Sequence, residues 1–181
     1  NLTGLGNPTL VAGAPSGAMV VDFDGVGDKL ERTASLSGLP SGLADRTVYL
    51  VANYQSNGYG GFAYGATSCN QTFGAVVSPL GKLAVQGWCN TANSFISGGQ
   101  GTGSGWLVQS VVLKADQMSH YRDGTLIDSR SHTYNTVVKK LVLGAELDSA
   151  PYLDMQVAAV LVYDRALSAS EQSQVLGYLQ E

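Results

Sequence analysis

The sequence predicts an all-β protein, built as a two-sheet antiparallel sandwich with one short C-terminal helix. Alternating runs rich in β-branched residues recur at intervals of about 8–15 residues, which is the spacing of strands in a sandwich or jelly roll. Gly is abundant at 23 residues and charged residues make up only 13% of the chain, as expected of many strands joined by tight turns. At 181 residues, the chain fits one domain spanning residues 1–181.

The first half of the chain alternates between strands and Gly-rich connections. Residues 1–17, 53–65 and 93–105 combine Gly, Asn and Ser with little alternation, so they are predicted to be irregular. The three tyrosines of residues 53–65 lie in a segment that is too polar to be core. Strands are predicted at 18–23, 29–32, 46–52, 73–77 and 82–86, the last two forming a hairpin.

The second half continues the pattern and ends in the only helical segment. Asp123-Gly124 is a strong two-residue hairpin signal, because both turn positions need positive φ. The preceding strand should carry His120 at an exposed position. Further strands are predicted at 106–113, 118–122, 125–129, 139–145 and 153–163.

Residues after 167 change from strand to helix periodicity. Ser168 and Glu171 have the spacing of a capping box, in which each side chain satisfies a free amide of the first helical turn. Val175, Leu176 and Leu179 then fall on one face of the helix. That face should pack against a sheet.

The charge pattern limits the possible partners. The net charge is −4, the pI is near 5.0, and the ten Lys and Arg residues are scattered. A nucleic-acid partner is disfavoured, because such binding needs a clustered basic surface. No apolar run approaches the ~20 residues of a membrane span, so membrane insertion is not expected.

Cys69 and Cys89 are the only cysteines, and neither lies in a metal-binding spacing. A disulfide between them is the simplest interpretation, and closing that loop would stabilise the fold by roughly 3 kcal/mol. A disulfide indicates an oxidising compartment, so we expect the protein to be secreted or at the cell surface. The alternative is two buried free thiols.

Several motifs resemble one family. The run Val160-Leu-Val-Tyr-Asp-Arg-Ala-Leu-Ser-Ala-Ser-Glu171, with Tyr121-Arg-Asp-Gly124 and the strand containing Gly144, resembles the closing half of a laminin G-like, or concanavalin A-like lectin/glucanase, jelly-roll domain. Asp22-Phe-Asp-Gly25 resembles its opening strand and turn. The resemblance implies two face-to-face antiparallel sheets, frequent structural calcium at the rim, and a sugar- or protein-binding role. It also implies a structural role for Trp106.

The resemblance also implies a set of calcium ligands. In such domains the ion bridges the early turn and the final strand, which here would bring Asp24 near Asp154, with Asp28 and backbone carbonyls as further ligands. Carboxylates and carbonyls are the hard oxygen ligands that calcium prefers. The alternative is that Asp24 and Asp28 only make Asx-turns and that Asp154 is a solvated edge residue.

Catalytic chemistry finds little support in the sequence. Glycoside hydrolysis needs two carboxylates flanking the scissile bond, but the pairs Asp22/Asp24 and Glu146/Asp148 resemble residues at the rim of the sandwich. The two histidines have no partner at metal-ligand spacing. No catalytic residue is therefore predicted, and the protein is not expected to be an enzyme.

Aromatic and amide side chains between residues 53 and 105 form the predicted ligand-binding set. Flat aromatic faces suit sugar rings, and planar amides can pair with vicinal hydroxyls at little entropic cost. The alternative is that some of these aromatics only plug the mouth of the sandwich. The set comprises Tyr54, Asn57, Tyr59, Tyr64, Trp88, Asn90 and Asn93.

These observations favour a non-catalytic extracellular carbohydrate-binding module, lectin-like and part of a larger adhesin or secreted enzyme. Its partner would be a glycan or cell-surface polysaccharide. A protein-interaction or structural spacer domain is the main alternative. A glycoside hydrolase or lyase is less favoured, because the paired carboxylates are missing from any single strand.

Overall fold

The computed structural model describes residues 2–13, 17–89, 92–148 and 150–181. These residues form fourteen β-strands and one α-helix. The strands, numbered along the chain, make two seven-stranded antiparallel sheets. The predicted all-β sandwich with a single short C-terminal helix is therefore confirmed.

The strand order in each sheet shows a chain that repeatedly crosses between layers. Sheet A consists, in spatial order, of β1 (Thr3–Leu5), β4 (Lys29–Arg32), β13 (Lys140–Ala145), β6 (Gly60–Gly65), β7 (Thr72–Val77), β8 (Lys82–Gln86) and β9 (Phe95–Gln100). Sheet B consists of β12 (Thr125–Ser131), β11 (Gln117–Arg122), β10 (Trp106–Lys114), β5 (Arg46–Tyr54), β14 (Asp154–Tyr163), β3 (Met19–Asp24) and β2 (Thr9–Ala12).

The core lies between the two sheets. Because successive side chains of a strand point to opposite faces, every second residue of the central strands enters this layer. Phe62 and Leu83 from sheet A meet Leu50 and Phe23 from sheet B, and all four are at most 2% exposed. The alternate residues of sheet A therefore face outward and form its outer face.

Helix α1 (Ala169–Leu179) lies on the outer face of sheet B. Its capping box is formed as predicted, since the Glu171 amide donates to Ser168 Oγ (3.4 Å) and the Ser168 amide donates to Glu171 Oε2 (2.8 Å). The predicted apolar face packs against the sheet through Val175, Leu176 and Leu179. Within the described residues, no helix has the length and apolarity needed to cross a bilayer.

Three segments predicted to be irregular contain strands. β5 extends to Tyr54 and β6 begins at Gly60, while β9 occupies part of 93–105 and β1 and β2 lie within the first 17 residues. The Gly-rich composition of β6 reflects close backbone packing rather than a loop. A Cβ at Gly65 would lie 2.3 Å from the Gln71 carbonyl oxygen. Only glycine therefore allows the two backbones to approach this closely.

His120 is fully buried, so its predicted exposed position is wrong. Its Nδ1 lies 2.6 Å from Ser97 Oγ, and its Nε2 lies 3.0 Å from the Gln109 side-chain nitrogen. The Tyr54 hydroxyl donates to the other end of the same amide, Gln109 Oε1, at 2.9 Å. Burial, aided by the positive charge of Arg130, lowers the pKa of His120 to about 3. A hydrogen-bonded polar chain thus crosses the core.

Candidate functional site

Two of the predicted ligand-binding residues belong to the core. Tyr54 and Tyr64 are 0% exposed. The Tyr54 hydroxyl bonds Gln109, and the Tyr64 hydroxyl accepts from Arg46 at 3.1 Å. The structure therefore gives neither ring a face that a ligand could reach, which corrects their inclusion in the site.

The remaining predicted residues lie at opposite ends of the sandwich. Asn57 and Tyr59 precede β6, whereas Trp88 and Asn93 follow β8. β6 and β8 both pair antiparallel with β7 and so run in the same direction, which separates these positions by a strand length of roughly 20 Å. Asn90 lies outside the described residues. The predicted set therefore does not form one site.

Asn57 belongs to a loop cluster at the end of the sandwich where β6 begins. Its side-chain oxygen accepts a hydrogen bond from the Thr102 hydroxyl, which also donates to the Ser56 carbonyl at 3.2 Å. Gly58 follows, and a Cβ there would lie 2.6 Å from Pro151 Cγ. This amide therefore joins two loops together.

The predicted disulfide positions Trp88. Cys69 and Cys89 are joined with their Cα atoms 4.9 Å apart, which excludes the alternative of free thiols. Trp88 and Cys89 both have positive φ, 74° and 76°, a conformation that bulky side chains rarely adopt. The strained turn directs Trp88 onto the outer face of sheet A. There it packs against the cluster Ala63, Val142, Ala145 and Leu147.

The outer face of sheet A contains a trough of small side chains. One row of directly paired residues crosses four strands in the order Gln86, Gly74, Ala63 and Val142. The centre of this row is tightly packed, since a Cβ at Gly74 would lie 2.8 Å from the Ala63 Cβ. Small residues in the middle leave room for another segment above the sheet.

Residues 146–148 and 150–152 of the loop after β13 occupy that room. Leu147 is 0% exposed in the cluster that contains Ala63 and Val142. Two side chains of the sheet hold the loop, because Gln86 Nε2 donates to Glu146 Oε1 (2.6 Å) and Lys140 Nζ donates to the Asp148 carbonyl (3.4 Å). The loop therefore has a fixed place on the outer face.

Glu146 is a half-buried carboxyl within this loop. Burial raises its pKa, the negative charge of Asp148 raises it further, and the hydrogen bond from Gln86 opposes the shift. The sequence pattern predicts that Glu146 and Asp148 both lie at the rim. In the structure, Glu146 lies over the outer face of sheet A, where its carboxyl accepts a hydrogen bond from Gln86 of β8.

Gln86 carries an unpaired acceptor at the same place. The residue is 3% exposed, and its Oε1 has no hydrogen-bond partner among the described residues. A buried amide oxygen without a partner costs free energy. We call the surface formed by Gln86, Trp88, Glu146 and Tyr152 the Trp88 patch; Tyr152 packs on the same apolar cluster as Trp88.

Three of the four patch residues were missed in the sequence. In the sequence, Gln86 is a polar residue at the end of a predicted strand, and Tyr152 follows a proline in a polar stretch. Neither position indicates a binding residue. A usable signal existed in the Gly74 and Ala63 positions, since small residues in two neighbouring central strands indicate that something covers them. That signal indicates that the outer face of sheet A is covered, but it does not indicate that the loop after β13 covers it.

The calcium ligands predicted from the resemblance are only partly brought together. Asp24 and Asp154 are direct partners across β3 and β14, so their side chains lie on the same face of sheet B. Asp24 Oδ1 also accepts the Val26 amide at 2.7 Å, as in an Asx-turn. The Asp154 amide donates to Ser56 Oγ at 2.8 Å. Two carboxylates and a hydroxyl therefore meet at this end of the sandwich.

Asp28 fits the metal site less well. It is 3% exposed, and its two oxygens accept the backbone amides of Asn7 (2.5 Å) and Asp24 (3.3 Å). These bonds tie the N-terminal segment to the turn. Among the described residues, no three His, Cys, Asp or Glu side chains are grouped as a metal site. Of the three predicted ligands, the structure places Asp24 and Asp154 side by side.

The two antiparallel sheets, packed face to face around one core, define a jelly-roll sandwich. A family model described as the concanavalin A-like lectin/glucanases superfamily, a laminin G type, matches residues 32–171. The chain belongs to this superfamily, which confirms the resemblance seen in the sequence. No curated protein matches the chain in a sequence search.

Solved structures share the fold at low identity. The binding domain of Paraclostridial Mosquitocidal Protein 1 is 15% identical, with a TM-score of 0.73 over 98% of this chain and 47% of that one. The receptor-binding domain of a botulinum neurotoxin C/D mosaic serotype is 13% identical, with a TM-score of 0.70 over 98% and 46%. This chain thus spans about half the length of these toxin domains.

A third similar structure comes from a polysaccharide-degrading enzyme. Domain 4 of AbnA, an extracellular arabinanase from Geobacillus stearothermophilus solved with arabinotriose, is 15% identical, with a TM-score of 0.70. The match covers 100% of this chain and 87% of that domain. At such identities the likeness concerns the fold alone.

Proposed function

We propose that this protein is a non-catalytic extracellular carbohydrate-binding module and that the Trp88 patch holds the glycan. The observation that carries the proposal is the partly exposed indole of Trp88, which the disulfide turn holds on the outer face of sheet A, on the cluster that contains Leu147 of the Glu146 loop. The half-buried carboxyl of Glu146 can accept hydrogen bonds from sugar hydroxyls on the same face. An indole offers the flat apolar surface that a sugar ring can stack on.

The chemistry of the patch favours a neutral polyhydroxy ligand. Gln86 Nε2 donates to Glu146 Oε1 at 2.6 Å and orients the carboxylate, whose remaining lone pairs can accept from sugar hydroxyls. The disulfide holds the turn that carries Trp88, so little conformational entropy is lost on binding. A shallow, preorganised surface of this kind gives weak binding per site.

Two observations support an extracellular location: the disulfide and the similarity of the fold to domains of known proteins. Disulfides persist in oxidising compartments. The similar structures are a binding domain of a mosquitocidal protein, a receptor-binding domain of a botulinum neurotoxin and a domain of an extracellular arabinanase. We therefore infer a module within a larger adhesin or secreted enzyme, where avidity from several modules compensates for weak single sites.

Replacing Trp88 with Ala is expected to weaken glycan binding by at least about tenfold, because the stacking surface is lost. Binding would first be found by screening the wild-type protein on a broad glycan array and then quantified by NMR titration. Tyr178→Ala is the matched control, since Tyr178 is 72% exposed on the helix over the opposite sheet. Its affinity should equal that of the wild type.

Two outcomes would redirect the proposal. A wild-type protein that binds nothing across the array refutes the lectin function and favours the protein-interaction or spacer alternative. Release of reducing sugar from a polysaccharide, abolished by Glu146→Gln, would instead make the protein a hydrolase. That carboxyl is the relevant test because its pKa is raised, as a general acid requires.

We also propose that Asp24 and Asp154 hold a structural calcium ion. Like charges directly opposite each other on neighbouring strands repel, and a cation between them removes that cost. Excess chelator is expected to lower the melting temperature of the wild type by several degrees. Asp24→Asn should remove this difference, whereas Asp164→Asn, at an exposed position, should retain it. An unchanged wild-type melting curve in chelator contradicts the calcium site.

A further inference from the structure

A second candidate site lies beneath helix α1, on the sheet opposite to the Trp88 patch. A cavity of about 190 Å³ separates the first half of the helix from the outer face of sheet B. Strand residues form its floor and helix residues form its roof. The lining consists of Tyr49, Ser110, Tyr121, Gly124, Ala169, Gln172, Ser173 and Leu176.

The floor is a single row of cross-strand partners. Ser110 of β10 pairs directly with Tyr49 of β5 on one side and with Tyr121 of β11 on the other. Neighbouring strands lie about 4.8 Å apart, so the two tyrosine Cα atoms are separated by roughly 9.5 Å. The small side chain of Ser110 therefore leaves a slot flanked by two aromatic rings.

The roof is fixed at one side by the hairpin turn of β11 and β12. A Cβ at Gly124 would lie 2.4 Å from Leu176 Cδ2, so the turn and the helix touch directly. Gln172 and Ser173 line the roof, with their side chains donating to Leu167 O (2.9 Å) and Ala169 O (3.0 Å). The slot is thus enclosed by packed elements on both sides.

One residue that lines the cavity has a buried hydroxyl without a partner. The Tyr49 hydroxyl makes no hydrogen bond with any described residue, although Tyr49 is only 2% exposed. Burial, with the nearby Tyr163 and Tyr121, raises its pKa to about 12, so the phenol keeps its proton and can donate. Ser110, 4% exposed, adds a second hydroxyl to the floor.

We propose that this cavity binds a neutral, hydroxyl-bearing molecule the size of a single sugar ring. Its volume equals that of about six water molecules, too small for an oligosaccharide. The lining contains no charged side chain, and a buried ionic ligand without a counter-charge would be strongly disfavoured. Two flanking tyrosine rings and the free hydroxyls match a flat ring that carries hydroxyl groups. The inference does not depend on the Trp88 patch.

The test uses the full chain and three monosaccharides, namely glucose, galactose and arabinose, titrated while backbone amide shifts are followed by NMR. At least one sugar should give saturable shifts at Gly124 and Gln172, which report this cavity alone. Tyr49→Phe should weaken that binding by about fivefold, the usual effect of losing one hydrogen bond. Tyr178→Phe, on the exposed side of the same helix, is the matched control and should bind like the wild type.

A second variant separates binding from folding. Ser110→Val fills the slot with a residue that suits a strand, so it should abolish binding while leaving the melting temperature unchanged or higher. The proposal is overturned if no sugar gives saturable shifts near the helix, or if Ser110→Val binds as tightly as the wild type. Shifts confined to the residues around Trp88 would likewise overturn it while supporting the proposed function.

Discussion

Lowering the pH from 7 to 3 is expected to destabilise the protein by about 4 kcal/mol through His120 alone. Burial lowers the pKa of His120 from 6.5 to about 3 in the folded protein. Below pH 6.5 the unfolded chain takes up a proton at this histidine that the folded protein does not. Stability is therefore lost progressively as the pH falls from about 6.5 to about 3.

The neighbours of His120 explain why it stays neutral. The side-chain nitrogen of Gln109 also donates to the Val76 and Ala84 carbonyls, both at 3.2 Å, which fixes the orientation of the amide. The amide nitrogen cannot accept, and its two N–H groups are shared among three acceptors, so His120 Nε2 is one of the acceptors while Nδ1 carries the proton and donates to Ser97 Oγ. Protonating Nε2 would place two donors against each other.

Urea unfolding across this pH range measures the effect. His120→Gln should show a flatter dependence than the wild type, whereas His132→Gln, at a half-buried position whose pKa burial also lowers, should change the curve less. An NMR titration provides a second readout, since the His120 ring protons should not shift above pH 4. A ring that titrates near pH 6.5 contradicts the assignment.

Replacing Arg46 with Met is expected to destabilise the protein by about 3–5 kcal/mol. Arg46 is 0% exposed, and its guanidinium donates to five acceptors while lying 4.9 Å from the centre of the Phe73 ring. Removing the guanidinium leaves several of those acceptors buried without partners. The acceptors are Tyr64 Oη, Thr136 Oγ1 and the carbonyls of Ser41, Gly42 and Ala44.

The change in the free energy of unfolding can be measured by denaturant unfolding of the wild type and the variants, provided that the m-value is the same for each protein. Arg46→Lys should also be destabilising, because a single ammonium cannot reproduce the planar fork that reaches both a loop and a strand. Arg32→Met is the control, since Arg32 makes one exposed bond to Ala34 O at 2.8 Å and should change stability by less than about 1 kcal/mol. Equal losses at the two arginines would contradict the role assigned to Arg46.

Features that depend on local sequence could be predicted well. β4 and β8 occupy the predicted residues, the Asp123-Gly124 turn has positive φ at both positions, and the capping box at Ser168 is formed. Each of these is encoded within a few residues by alternation, turn chemistry or capping. The disulfide was predictable because the chain has only two cysteines.

The site could not be predicted in the same way, because it depends on pairing between distant strands. Composition alone suggested that Tyr54 and Tyr64 were loop residues, yet both end in the core because β5 and β6 continue through that region. The patch around Trp88 requires Gln86 to meet Glu146, sixty residues away in sequence. Only the three-dimensional register of sheet A brings them together.

Helix α1 is held to the molecule by half-buried side chains rather than by a buried face. None of its residues is buried, and it holds to sheet B mainly through Val175, Leu176 and Leu179. Its backbone hydrogen bonds are local, so the helix can lift away without breaking either sheet. Its amides should therefore exchange with solvent through sub-global openings well before those of the central strands. The same openings would give small molecules a route to the Tyr49 row without disturbing the core.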